Sequence, residues 1–214
     1  MEMISGLRKS AVALAAGAGF FLAASQAQAV PVFSGLVNLA ISATTNGLYL
    51  NVLNGANNLP GSTVGGTVPG WDINPYSSTG LSFFTTGPMA ATHGYVGSAG
   101  VGGAVTRLTL GTSIGAASTF LTGAQSPAAS IWNLNSSNNF VGFRFLNEGN
   151  GQVHYGYMQI ALGANTFTGR SIVGYAYENV PGASITVVPE PSTYALMGLG
   201  LAGLMVAARR RKQA

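Results

Sequence analysis

Residues 139–188 read NFVGFRFLNEGNGQVHYGYMQIALGANTFTGRSIVGYAYENVPGASITVV. Val141, Phe143 and Phe145 recur at every second position, the period of a strand with one face on a core. Asn147-Glu148-Gly149-Asn150-Gly151 then supplies turn chemistry. Residues 153–162 run back as the second arm of a hairpin, residues 165–169 turn again, and residues 171–178 and 185–188 supply a third and a fourth strand. Outward from this block the same signals continue. Residues 33–41, 47–53, 81–84 and 105–110 read as strands, and Asn54-Gly55 closes the second of them with a turn. No part of residues 30–188 sustains a 3.6-residue apolar period over a helix length. Many short strands separated by Gly and Asn clusters predict an all-β domain, a β-sandwich of jelly-roll-like type. Its length suits one domain with a substantial core.

The charge pattern excludes whole classes of function. Only 7% of the 214 residues are charged, against about 25% in an average globular chain. The net charge of +4 lies at the ends. Within residues 30–188, Arg107, Arg144 and Arg170 balance Asp72, Glu148 and Glu178. A nucleic-acid partner needs a basic surface to neutralise phosphates, and this region has none. The absence of cysteine removes disulfides, thiolate metal sites and a cysteine nucleophile.

Candidate catalytic groups are correspondingly few. A glycosidase needs two suitably spaced carboxylates, but Glu148 falls in a turn tip, Glu178 ends a strand, and Asp72 lies in a Trp71-Asp72-Ile73-Asn74-Pro75 stretch that reads as an Asx turn. His93 and His154 are the two histidines, short of the three or four ligands of a zinc site. No catalytic residue, metal site or cofactor is expected. Arg144, His154 and Glu178 fall on three successive strands, where a meander would gather them into a polar patch; the plainer reading is an ion pair closing a sheet edge. Tyr155, Tyr157, Tyr175 and Tyr177 alternate on the same strands and fit either a sugar-stacking face or core filling with the hydroxyl at the rim.

The two ends read as addresses. Arg8 and Lys9, an uncharged stretch over residues 11–24, and Ala27-Gln28-Ala29 form a secretory signal-peptide pattern, with processing between Ala29 and Val30. At the other end Pro189, Glu190 and Pro191 fix an extended peptide, because each proline locks its own φ and disfavours helix in the residue before it. Residues 194–208 carry no charge and would form a helix about 22 Å long. This is short for a bilayer core of about 30 Å, a mismatch that Ser192, Thr193 and snorkelling Arg209, Arg210, Arg211 and Lys212 relieve. The basic cluster should stay cytoplasmic and stop translocation there. The expected organisation is a signal peptide over residues 1–29, an exported β domain over 30–188, and a membrane-sorting tail over 189–214.

A Pro-Glu-Pro tripeptide, an apolar run and an Arg-rich terminus, in that order at the C-terminal end, resemble the PEP-CTERM sorting signal of Gram-negative bacteria. The resemblance covers about residues 188–212. It implies recognition by exosortase, a membrane-embedded cysteine transpeptidase-like enzyme. It also implies processing near Pro189, Glu190 and Pro191, and delivery to the cell surface or extracellular matrix. The FVGFRF, GQVHYGYMQI and GYAYENVPG stretches are similar to a module of other exosortase substrates. On this reading the chain is a non-enzymatic exported protein, membrane-anchored before processing. Its partners are the secretion machinery, exosortase and the membrane, with exopolysaccharide or biofilm as its setting. A carbohydrate-binding module retained in secreted polysaccharide, and a hydrolase, are the alternatives.

Overall fold

The computed structural model describes residues 29–58, 68–86, 89–100 and 103–188. Ala27, the motif residues Pro189, Glu190 and Pro191, the apolar run after them, and Arg209, Arg210, Arg211 and Lys212 lie outside the described residues. The strands are β1 (Pro31–Phe33), β2 (Leu39–Ala40), β3 (Pro75–Tyr76), β4 (Ser82–Phe84), β5 (Gly94–Val96), β6 (Ser113–Ile114), β7 (Phe120–Leu121), β8 (Ala124–Gln125), β9 (Ser136–Asn147), β10 (Gln152–Leu162), β11 (Ser171–Glu178) and β12 (Ile185–Thr186). Among the described residues helix is limited to short 3-10 turns such as Ala129–Ile131. The described residues are all-β, and their sheets do not close into a barrel.

The predicted hairpin is the centre of the molecule. β9 and β10 pair antiparallel from Asn147↔Gln152, and β11 pairs with β10 on the other side. β1 and β2 extend this sheet beyond β11, and β5 and β7 extend it beyond β9. The turn forms because Asn147 Oδ1 accepts from the Gly149 N–H at 2.9 Å, the Gly151 N–H donates to the Asn147 carbonyl at 2.7 Å, and Gly151 takes the left-handed φ of +67° that a side chain would strain.

Register assigns the two faces. Val141, Phe143 and Phe145 share theirs with Met158, Ile160, Ile172 and Tyr175, as the alternation predicts. Leu48, Leu50, Val52, Ile73, Leu81, Phe83, Tyr95 and Trp132 cover that face. Phe140, Tyr155, Tyr157 and Ala176 point the other way, under Leu108, Ile114, Ile185 and Val187. Both faces of the sheet are therefore buried, the second by a two-stranded strap of β6 and β12. Glycine meets aromatic across the ladder: Gly156 faces Phe143 and Gly142 faces Tyr157. A Cβ on Gly156 would sit 2.6 Å from the Phe143 ring and from the Ala176 carbonyl, so the ring occupies the space a side chain would take.

Several expected strands are shorter or replaced. Residues 33–41 break into β1 and β2 because Gly35 and Asn38 adopt φ of +69° and +48°. Residues 47–53, expected as a strand, are mostly buried but form only isolated bridges, Leu50↔Asn57 and Leu50↔Ile73. Residues 105–110 likewise touch the sheet through Gly97↔Val105 and Leu108↔Phe140. The sheet edge at β1 is blunted by Pro31, whose missing N–H falls where the register turns backbone groups away from β11.

Candidate functional site at the C-terminal exit

The path out of the domain is built from Val180 onward. Pro181-Gly182 turns the chain: the Gly182 N–H donates to the Val153 carbonyl at 3.0 Å and the Ala183 N–H to the Val180 carbonyl at 3.2 Å. The chain then runs as β12 against β6, with Ile185 and Val187 buried and Thr186 and Val188 exposed. Three bonds hold its last residues. The Val187 N–H donates to Thr112 and the Gly111 N–H to Val187, both at 2.8 Å, and the Tyr157 hydroxyl donates to the Val188 carbonyl at 2.8 Å. Val188 is thus pinned to the sheet, and Pro189 follows it directly in sequence. At the other terminus the Val30 N–H donates to Asn179 Oδ1 at 3.1 Å, one residue before β1 begins pairing with β11.

The three residues expected to form a polar patch do not share a face. Tyr155↔Arg144 puts Arg144 on the strap side, and the β10–β11 register puts Glu178 there too, with Tyr155 between them. His154 points the other way, packed on Phe145 at 5.7 Å and Tyr177 at 6.4 Å between ring centroids. Its Nδ1 lies 2.7 Å from the Glu178 carbonyl, so it meets the backbone of Glu178 and not its carboxylate. Arg144 donates to the Ala90 carbonyl at 3.0 Å and lies over the Phe120 ring. The carboxylate of Glu178 accepts from the Val180 N–H at 3.2 Å. Two-residue periodicity separates 144 from 154 because their strands pair at an odd offset, which no single-strand pattern reveals.

The four tyrosines divide two and two. Tyr155 and Tyr157 are buried beneath the strap. Tyr175 and Tyr177 line a cleft of about 350 Å³ with Phe33, Ser34, Leu53 and Asn54. Burial pushes both of these hydroxyls above the usual tyrosine value, so they remain neutral donors. A second cleft, about 280 Å³, lies between Tyr49, Tyr76 and Phe84 with Asn46 and Asn74 at its side.

Two buried polar clusters were not read from the sequence. Asp72 does not cap its own turn; its Oδ2 accepts from the Val52 N–H at 2.7 Å and its Oδ1 lies 3.3 Å from His93 Nε2, while His93 Nδ1 lies 2.9 Å from Thr92 Oγ1. Burial raises the Asp72 carboxyl above its ordinary value, partly offset by His93 and the Val52 N–H. Arg170 is almost fully buried, and its guanidinium donates to five carbonyls, those of Ile41, Ser42, Ser77, Gly80 and Thr166. Burial lowers its pKa to about 10, which leaves it charged near neutral pH. A lone arginine after Thr168-Gly169 gives no sequence signal for this role, because its partners are all main-chain groups. Among the described residues no group of three or more His, Asp and Glu side chains is placed to hold a metal ion, and no helix is long and apolar enough to cross a membrane.

An all-β domain whose final strand leads straight into the C-terminal segment is the setting for the comparison with known families. The family model for the PEP-CTERM protein-sorting motif matches residues 187–212, so the chain carries that motif. The motif implies processing by exosortase, a membrane enzyme, and export with membrane-anchored sorting before cell-surface display. No curated protein and no solved structure matches the chain.

Proposed function

We propose that this chain is an exported surface or extracellular-matrix protein that is the substrate of its sorting enzyme and not itself a catalyst. The secretion machinery exports it through residues 1–29. Residues 194–208 then hold it in the inner membrane with Arg209, Arg210, Arg211 and Lys212 on the cytoplasmic side. Exosortase acts at Pro189, Glu190 and Pro191, and the domain is released to a surface or matrix rich in exopolysaccharide. The domain is a jelly-roll-like β-sandwich in which the strap and the loops over the opposite face act as partial second layers. The observation that carries this reading is the motif match at residues 187–212, which begins on the strand end pinned by Tyr157. The non-catalytic role is supported by the use of Asp72, Arg170 and Glu178 in internal contacts.

Intact mass of the surface-extracted protein tests both ends at once. A species beginning at Val30 and lacking the residues after the Pro-Glu-Pro segment is expected. A mature chain retaining residues 194–214 would sink the processing step. The cleft beneath Tyr175 and Tyr177, with the amide of Asn54 beside it, supports a second reading, a carbohydrate-binding module. Tyr177→Ala should then abolish retention on a polysaccharide column; unchanged retention, or none in the parent protein, removes that reading.

A further inference from the structure

The domain is polarised along its long hairpin. One end holds the β9–β10 turn with Glu148 exposed at its tip. The opposite end is where β9 begins, β10 ends and β11 begins. The chain also leaves toward this end: the strap passes Val153 at Gly182 and reaches Tyr157 at Val188, moving up β10 toward Leu162. Of the seven exposed large apolar side chains among the described residues, two lie at this end and two on the strap that leads to it. Leu134 (42%) precedes β9, with the neighbouring Asn135 N–H donating to Gly163. Phe167 (42%) tops the loop between β10 and β11. Leu110 (50%) and Val188 (37%) flank the bonded pair of Gly111 and Val187. The segments that build this end, residues 108–118, 131–140, 159–169 and 183–188, contain no acidic residue, and the half-buried Arg107 at their border donates its Nε–H to the Ile131 carbonyl at 2.6 Å. Arg170, beside them, is buried in its ring of carbonyls.

The length of chain beyond Val188 decides what such a surface meets. Only five residues, 189–193, separate Val188 from the uncharged run that starts at Tyr194. Fully extended they span at most about 18 Å. A domain pinned at Val188 cannot stand further from the bilayer than that, and the end toward which the chain leaves is the acid-free one that carries exposed Leu134 and Phe167.

We propose that while the chain is tethered this end of the domain rests on the lipid surface, with Leu110, Leu134, Phe167 and Val188 in the interfacial layer. Burying uncharged side chains against headgroups costs none of the desolvation that an exposed acid would impose. The contact fixes the domain's orientation and keeps Val188, which Pro189 follows in sequence, close to the membrane. It rests on the membrane-embedded reading of residues 194–208.

The chain has no cysteine, so single labels are clean. Full-length Leu110→Cys, Phe167→Cys and Gln152→Cys variants, each carrying an environment-sensitive fluorophore, are reconstituted in phosphatidylcholine vesicles containing lipid-borne spin quenchers. Gln152 sits at the hairpin end as the control. Native tryptophan emission checks that each variant is folded. At least twofold stronger quenching at 110 and 167 than at 152 is expected. Equal quenching at all three sites in vesicle-bound protein overturns this proposal but leaves the anchor intact. Labels at 110 and 167 that are equally shielded in detergent, without lipid, mean a protein neighbour covers the surface and also overturn it. Failure of the full chain to bind vesicles overturns both the proposal and the anchored reading beneath it.

Discussion

Replacing Arg170 should weaken the domain more than any other single charge change. Its five N–H groups meet five carbonyls that belong to three separate stretches, residues 41–42, 77–80 and 166. Lysine offers three donors, so in Arg170→Lys at least two carbonyls lose their partner. Hydrogen bonds to a charged donor are worth about 1.5–3 kcal/mol each. Ser42, Ser77 and Gly80 are half-buried and water replaces part of what they lose, which points to the low end, about 3 kcal/mol. Arg170→Met removes every donor and strands the carbonyls of buried Ile41 and Thr166, for a cost of about 5 kcal/mol. For a domain of this size about 1 kcal/mol moves Tm by roughly 2–4 °C, so the lysine variant should melt roughly 6–12 °C lower. The chain's two tryptophans, Trp71 and Trp132, are both buried in the domain, so their emission follows its unfolding in the full-length protein. A lysine variant melting within about 2 °C of the parent would refute the claim that these carbonyls need all five donors.

Other perturbations follow from the same structure. Gly156→Val places carbons where the Phe143 ring and the Ala176 carbonyl now sit and should cost about 3 kcal/mol or prevent folding, read by the same emission. Tyr157→Phe removes the hydroxyl that holds Val188, costs about 1 kcal/mol, and should speed hydrogen exchange at the Val187 amide; unchanged exchange would mean the hydroxyl does not anchor the exit. The Asp72 carboxyl is raised in the fold relative to the unfolded chain, so the folded state holds its proton more tightly. Its contribution to stability is therefore full below the ordinary carboxylate value of 3.8 and falls as pH rises through Asp72's own raised value. That slope should vanish in Asp72→Asn thermal melts taken across the same window. Replacing Arg209, Arg210, Arg211 and Lys212 and deleting Glu190 should leave an unprocessed protein in the wrong compartment; unaltered mass and location would end the sorting reading.

The sequence alone determined the C-terminal sorting motif and the central ladder. A sorting segment acts as a linear peptide, so its residue types in order carry the whole signal, and the Pro-Glu-Pro, apolar and basic parts were legible without a fold. The alternation of Val141, Phe143 and Phe145 and the Asn-Gly turn after them placed β9, β10 and β11 for a similarly local reason: strand period and turn chemistry are properties of neighbouring residues. Only tertiary structure decided the rest. Whether Arg144, His154 and Glu178 meet depends on the offset between paired strands, and that offset put His154 on the opposite face. Arg170 became the clamp of three loops, and Asp72 reached Val52 and His93 in place of its own turn, because their partners lie 4 to 129 and 20 to 21 residues away. Residues 47–53 and 105–110 carry strand-like sequences yet make only isolated bridges, since burial beside the main sheet satisfied their apolar side chains without a full ladder. Contacts of that range are set by how the chain closes on itself, and no local pattern encodes them.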